Sequence, residues 1–186
     1  PDLGSRLAEW PVTHCVKLLA PIRADDQAEL TAHNEREIVR LADACRRTGH
    51  EFLFEIISGN NGKAAAPDQI LSLMQRYYDL GVAPDWWKLE PVEDTGFWTA
   101  AGDIVRANDP HLQGIIVLGK EMPEEHLCRV LAIARTEPLV NGFAIGRTIF
   151  SKAAQAWFAG EIDDNAAQQM MTAVYGQLID AWDNAA

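Results

Sequence analysis

Five short apolar runs recur along the chain, at spacings of about 27 to 37 residues, which is the length of one strand-plus-helix unit. A longer amphipathic segment follows each run. The runs occupy residues 14–20, 51–57, 84–91, 114–119 and 141–146. Strands that alternate with helices form a parallel sheet covered on both faces, so this pattern predicts an α/β fold.

Helical periodicity defines the intervening segments, for example through Leu30, Ile38, Leu41 and Cys45 in the first of them. Asp26 is placed to cap that helix and Gly49 to end it. The predicted helices span residues 26–48, 67–80, 95–107, 123–135, 148–158 and 163–183.

Five such units fit either an open doubly wound sheet or part of an eight-stranded TIM-type (β/α)8 barrel. Polar residues at the ends of several strands favour the barrel, because barrel active sites lie there. The absence of a Gly-rich loop after the first strand disfavours a nucleotide-binding sheet. A full barrel needs about 250 residues. We therefore expect residues 1–186 to form one domain that supplies about five βα units, the C-terminal part of the barrel, without its N-terminal strands.

The acidic composition excludes several classes of partner. The net charge of −11 disfavours nucleic acids and anionic membrane surfaces, and no apolar run is long enough to cross a membrane. Three cysteines, Cys15, Cys45 and Cys128, have no metal-binding spacing and are predicted to be reduced and mostly buried. These features predict a cytoplasmic protein with no metal.

The third run places a lysine among large apolar residues. Side chains alternate along a strand, so Trp86, Lys88 and Glu90 share one face. Lysine is rarely buried without a functional or structural reason. Together with Lys17 and Glu55 on the two preceding strands, Lys88 forms a set that suits an amine nucleophile, a neighbouring cation and an acid/base. Ion pairs or snorkelling side chains at strand ends are the alternative interpretation.

Two glycines at strand ends indicate ligand contact. Gly146 and Arg147 stand where the last strand meets the next helix, and this arrangement offers backbone N–H groups and a guanidinium to a phosphate. Gly119 would let a ligand approach the backbone after the fourth run. Lys120 beside it is interpreted as a loop residue. The segment 58–66 is predicted to be a mobile loop at the active-site face.

These motifs together resemble a known family. They occur in one order at residues 2–11, 16–17, 51–55, 84–91 and 142–150. The chain resembles the aldolase-like C-terminal domain that is fused to bacterial 5-dehydro-2-deoxygluconokinase, of myo-inositol catabolism, and is similar in turn to tagatose-1,6-bisphosphate aldolase, a class I barrel enzyme. Residues 120–122 replace a more acidic and apolar loop of that family.

The resemblance implies a reaction and roles for individual residues. Lys88 matches the Schiff-base lysine, Glu55 the acid/base and Lys17 the lysine of the preceding strand, while Arg147 matches the phosphate-binding arginine. No cofactor is implied beyond the covalent Schiff base. The implied reaction is cleavage of 2-deoxy-5-keto-gluconate 6-phosphate to dihydroxyacetone phosphate and malonate semialdehyde. Glu90, Gly119 and Gly146 complete the predicted substrate-binding residues.

Two other interpretations stay open. In the first, the domain is a non-catalytic phosphosugar-binding module, and in the second it is an assembly domain for a kinase. An open sheet of five strands would expose two edges. We therefore expect a second copy of the chain, the N-terminal segment or a kinase domain to cover them.

Overall fold

A computed structural model describes residues 2–22, 26–58 and 67–185. Within these residues the chain forms five strands and seven helices. The strands are β1 (Val16–Pro21), β2 (Phe52–Ile57), β3 (Trp86–Leu89), β4 (Gly114–Leu118) and β5 (Val140–Ala144). The helices are α1 (Leu3–Leu7), α2 (Ala28–Thr48), α3 (Pro67–Asp79), α4 (Thr95–Asn108), α5 (Glu124–Ala134), α6 (Arg147–Phe158) and α7 (Asp164–Asp183).

The five strands form one parallel sheet in the order β1-β2-β3-β4-β5. Each strand pairs with the next one along the chain, as successive βα units of a barrel do, and all four pairings are parallel. Strands β1 and β5 are the two edges of the described sheet. The predicted α/β architecture with five βα units is therefore confirmed.

The core lies between the sheet and the helices outside it. Trp87 and Leu89 of β3 are fully buried on the helix-facing side. The indole N–H of Trp87 donates to the hydroxyl of Tyr78 in α3 at 2.7 Å, and Phe54 stacks on Trp87 with ring centroids 5.2 Å apart. Because alternate residues point to opposite faces, burial of Trp87 and Leu89 among the helices turns Lys88 to the other face.

Two details of the sequence analysis are wrong. The N-cap of α2 is Gln27, not Asp26, because the helix begins at Ala28 and Asp26 lies one residue too far upstream. Cys15 is exposed rather than buried, because it precedes the first residue of β1. Gly49 does end α2, in the left-handed conformation with φ 76°.

The short helix α1 was not predicted from the sequence. Its five residues are too few for a periodic pattern, but Asp2 caps it by accepting a hydrogen bond from the Ser5 N–H at 2.9 Å. Among the described residues, no helix is both long and apolar enough to cross a membrane.

Candidate active site

The strand register brings three charged side chains together on the face of the sheet opposite the helices. Glu55 of β2 is the direct partner of Lys88 in β3, and it also pairs in register with Leu19 of β1, two residues beyond Lys17. Lys88 Nζ lies 3.1 Å from Glu55 Oε2, and Lys17 Nζ lies 2.7 Å from the same oxygen. The three residues that were predicted to act together therefore meet at one carboxylate oxygen.

The three side chains differ in their exposure to solvent. The side chain of Glu55 is 6% exposed and that of Lys88 is 15% exposed, whereas Lys17 is 43% exposed. Among the described residues, Glu55 Oε2 accepts no aligned hydrogen bond, so its two short contacts are ion pairs without hydrogen-bond geometry. This carboxylate is close enough to exchange a proton with the amine of Lys88.

A cavity of about 240 Å³ opens above Glu55 and Lys88 at the carboxyl ends of the strands. Ligand sites for drug-sized molecules enclose about 300–1,000 Å³, so this volume suits a small ligand. The cavity is lined by Leu19, Glu55, Ile57, Lys88, Leu118, Gly119, Lys120, Glu121, Ala144, Gly146, Arg147, Thr148 and Phe150. Five of the seven predicted site residues are in this lining.

One end of the cavity is formed where β5 meets α6. Gly146 is the N-cap residue of α6 and Arg147 is its first residue. The first turn of a helix presents backbone N–H groups and positive electrostatic potential. A guanidinium of Arg147 pairs with the carboxylate of Glu121, and both side chains are exposed, at 66% and 54%. The cavity thus has an amine at its floor and a guanidinium at its rim.

Glu90 is not part of the cavity lining, although the sequence places it on the same strand face as Lys88. It is buried, and its Oε2 accepts hydrogen bonds from the N–H and the hydroxyl of Ser58, at 3.0 and 2.6 Å. Its Oε1 pairs with the amine of Lys120. Both oxygens are therefore engaged by the protein, and the contacts join the ends of β2 and β3 to the loop after β4.

The sequence predicted Lys120 to be a plain loop residue and gave no role to Glu121, whereas both residues line the cavity and pair with Glu90 and Arg147, respectively. Both residues have left-handed backbone conformations, with φ of 49° and 56°. Glutamate and lysine rarely adopt these angles, and nothing in the residue types announces them. Gly119, immediately before them, was the available signal in the sequence, because a glycine at a strand end indicates close approach of another group. In the structure a Cβ at Gly119 would lie 2.9 Å from Ile145 Cγ2.

The predicted mobile loop falls mostly outside the described residues. Of the segment 58–66, the structure describes Ser58. Among the described residues, no group of three or more His, Cys, Asp and Glu side chains is arranged to hold a metal ion.

Comparisons with known proteins bear on both the family and the fold. A family model described as "Uncharacterized protein conserved in bacteria (DUF2090)" matches residues 1–186. No curated protein matches the chain. Among solved structures, the chain is similar to fructose-bisphosphate aldolase from Plasmodium falciparum, in a complex with TRAP and a small molecule inhibitor.

That likeness is one of fold. The sequences are 13% identical, the TM-score is 0.64, and the match covers 92% of this chain. The chain spans 56% of the length of the aldolase chain that it matches. The arrangement of five βα units is therefore that of a large part of an aldolase barrel.

Proposed function

The chain belongs to the DUF2090 family, and from its site we propose that it is a Schiff-base aldolase. The substrate class is a phosphorylated keto sugar acid. The observation that carries the proposal is the amine of Lys88, largely shielded from solvent on the floor of a cavity and 3.1 Å from a buried carboxylate. The aldolase-like fold supports it.

The chemistry begins with Lys88. Its neutral amine attacks the substrate ketone, and Glu55 takes up the ammonium proton and returns it to the carbinolamine hydroxyl, which leaves as water. Glu55, having returned its proton, takes the proton of the hydroxyl on the β-carbon as the bond between the α- and β-carbons breaks, and the electron pair of that bond passes to the resulting iminium. Cleavage releases an aldehyde and leaves an enamine on Lys88. Protonation of the enamine carbon and hydrolysis of the iminium then release the ketone product and restore the lysine.

Lys17 has an electrostatic role in this scheme. It contacts the same oxygen of Glu55 as Lys88 does, so the ion pair holds that carboxylate in place beside Lys88. Because Lys17 is 43% exposed, its cation is also accessible to the carboxylate of a bound sugar acid.

The phosphate end of the substrate is assigned to Gly146 and Arg147. The helix N-terminus and the guanidinium supply the positive field there. Gly119 is part of the cavity lining and allows the close approach of Ile145, and Glu90 anchors the loop after β4 through its ion pair with Lys120. From the resemblance of the motifs, we propose 2-deoxy-5-keto-gluconate 6-phosphate as the substrate, cleaved to dihydroxyacetone phosphate and malonate semialdehyde.

Borohydride trapping tests this proposal directly. The full-length protein that carries these residues is incubated with dihydroxyacetone phosphate and sodium borohydride, and the adduct is located by peptide mass spectrometry. We expect the added mass on Lys88 and its loss in Lys88→Met. Lys152→Met is the matched control, because Lys152 is an exposed lysine of α6 paired with Glu124 and outside the cavity. An adduct spread over surface lysines, or none, contradicts the proposal.

A second candidate is a non-catalytic phosphosugar-binding or assembly domain associated with a 5-dehydro-2-deoxygluconokinase. It is favoured by the ion pairing of the site, where Glu55, Glu90 and Glu121 each contact at least one cation. Such pairs also occur in sites that bind without reacting. A binding module requires phosphosugar binding that survives Lys88→Met, together with the absence of cleavage by the wild-type protein. An assembly domain requires an oligomeric state and a partner activity that are unchanged when the lysines of the site are lost.

A further inference from the structure

The loop between β4 and α5 has an unfavourable backbone conformation beside the candidate active site. Lys120 and Glu121 are consecutive non-glycine residues with φ of 49° and 56°. The Met122 N–H donates to the Gly119 carbonyl at 2.9 Å and closes the turn. Left-handed conformations of this kind persist where the surrounding contacts hold them, and they concentrate at ligand sites. The contacts that hold this turn therefore bear on ligand binding at the candidate active site.

Two ion pairs anchor the turn, and they differ in strength. Lys120 pairs with Glu90, a buried carboxylate that also accepts two hydrogen bonds from Ser58. Glu121 pairs with Arg147, and more than half of each side chain is exposed. Exposed pairs contribute little to stability, whereas breaking a buried pair leaves an uncompensated charge. The Glu121–Arg147 contact is the one that can open while Lys120 stays in place.

We propose that Glu121 is an internal competitor for the anion site, occupying the guanidinium of Arg147 until a phosphoryl group displaces it. This inference rests on the proposed function only in taking Arg147 as the phosphate-binding group. The carboxylate of Glu121 presents to Arg147 the same kind of oxygen atoms as a phosphate does. Displacement also frees Glu121 from the contact that holds it in the left-handed conformation. The residue thereby sets the affinity of the site for phosphorylated ligands.

The expected size of the effect follows from the competition. Let K be the ratio of molecules in which the Glu121–Arg147 ion pair is formed to molecules in which it is broken. The apparent dissociation constant of any anion at Arg147 then rises by the factor 1 + K. Exposed ion pairs of this type correspond to K of about 1 to 5. Removing the carboxylate is therefore expected to tighten anion binding about two- to sixfold.

The test measures binding of inorganic phosphate by isothermal titration calorimetry in the wild-type protein, Glu121→Gln and Glu124→Gln. Glu124 is the matched control, because it carries the same charge three residues further along and pairs with Lys152, outside the cavity. We expect tighter binding for Glu121→Gln and wild-type binding for Glu124→Gln. Unchanged binding for Glu121→Gln, an equal gain for Glu124→Gln, or no phosphate binding in any variant would overturn the proposal.

A double mutant separates occupancy from general charge repulsion. In an Arg147→Gln background there is no guanidinium for Glu121 to occupy, so the residual phosphate binding, measured at phosphate concentrations high enough to detect it, must be unchanged by Glu121→Gln. A gain of the same size in that background means that Glu121 acts by repulsion alone, and the competitor model fails. Circular dichroism confirms folding of each variant.

The outcome is independent of the aldolase chemistry. Phosphate calorimetry does not involve Lys88, while borohydride trapping reports Lys88 alone. Trapping at Lys88 with no effect of Glu121→Gln leaves the aldolase proposal standing without the competitor. Tighter phosphate binding in Glu121→Gln with no trapping leaves the anion site without the aldolase.

Discussion

The carboxylate of Glu55 lies 3.1 Å from the amine of Lys88 because the two residues are direct partners in the parallel register of β2 and β3. The contact is fixed by backbone pairing rather than by a loop. Sites built on strands hold their geometry more closely than sites built on loops. A conservative side-chain change at either position is therefore expected to alter the chemistry of the site and to leave the neighbouring residues in place.

Glu55→Gln tests the acid/base role. Glutamine has nearly the same shape as glutamate but cannot accept a proton at neutral pH, so we expect cleavage and the rate of borohydride trapping to fall about 10²- to 10⁴-fold. The variant also leaves Lys88 without its anionic partner, and we expect the free energy of unfolding to fall by about 1–3 kcal/mol. Steady-state kinetics and urea unfolding measure the two effects.

Glu137→Gln is the control for that change. Glu137 is another buried carboxylate, paired with Arg106 and bonded to the Leu139 N–H at 3.1 Å, and it does not line the cavity. We expect a comparable loss of stability without loss of activity. If both variants lose activity in proportion to their stability, Glu55 has a structural role only.

The strands and the position of Lys88 were predictable from sequence, but the contacts between loops were not. Alternation in 84–91 placed Lys88 opposite Trp87 and Leu89, and the order of strands placed Lys17 and Glu55 beside it. The ion pair of Glu90 with Lys120 depends on Lys120 adopting a left-handed conformation thirty residues later in the chain. Such a conformation is imposed by tertiary contacts and leaves no periodic signal in the sequence.

Gly119 and Gly142 provide a matched pair for testing the cavity wall. A Cβ at Gly119 would lie 2.9 Å from Ile145 Cγ2, whereas one at Gly142 would have no described atom within 4 Å. We expect Gly119→Ala to lower the free energy of unfolding by about 1–3 kcal/mol and to weaken phosphate binding, because Ile145 must shift. Gly142→Ala should change stability by less than about 1 kcal/mol. Equal changes in the free energy of unfolding of the two variants, measured by urea unfolding, would show that Ile145 can move away from a Cβ at Gly119 at little cost.

The buried thiol of Cys45 predicts a loss of stability at high pH. Burial raises the pKa of Cys45 from 9.0 to about 11, with a smaller contribution from Asp85. Below about pH 9 the thiol is protonated in both states, and this contribution is fully present. Between the two pKa values the unfolded chain loses a proton that the folded chain keeps, so the free energy of unfolding falls as pH rises.

Urea unfolding at about pH 8 and about pH 10 measures this slope, which one group limits to about 1.4 kcal/mol per pH unit. Cys45→Ala should flatten the dependence, although the variant starts from a lower stability because it leaves a small cavity. Cys15→Ala, at an exposed thiol, should retain most of the slope. An unchanged slope in Cys45→Ala would assign the loss of stability to other groups.

In the described sheet β1 is an edge strand, and this position predicts association of the 186-residue chain. A cavity of about 430 Å³ lies between β1 and the helices α1 and α2, lined mainly by apolar residues that include Leu18, Leu19 and Ile22. Unpaired strand edges with apolar surface bind other strands, and a lysine at the edge prevents this.

We expect sedimentation velocity to show concentration-dependent association that Leu19→Lys reduces. Leu30→Lys is the control, because Leu30 is similarly exposed, at 47% against 42%, but does not line this cavity. Association that disappears in a longer protein with further βα units would assign the edge to those units, whereas a chain that is monomeric at every concentration would contradict the prediction.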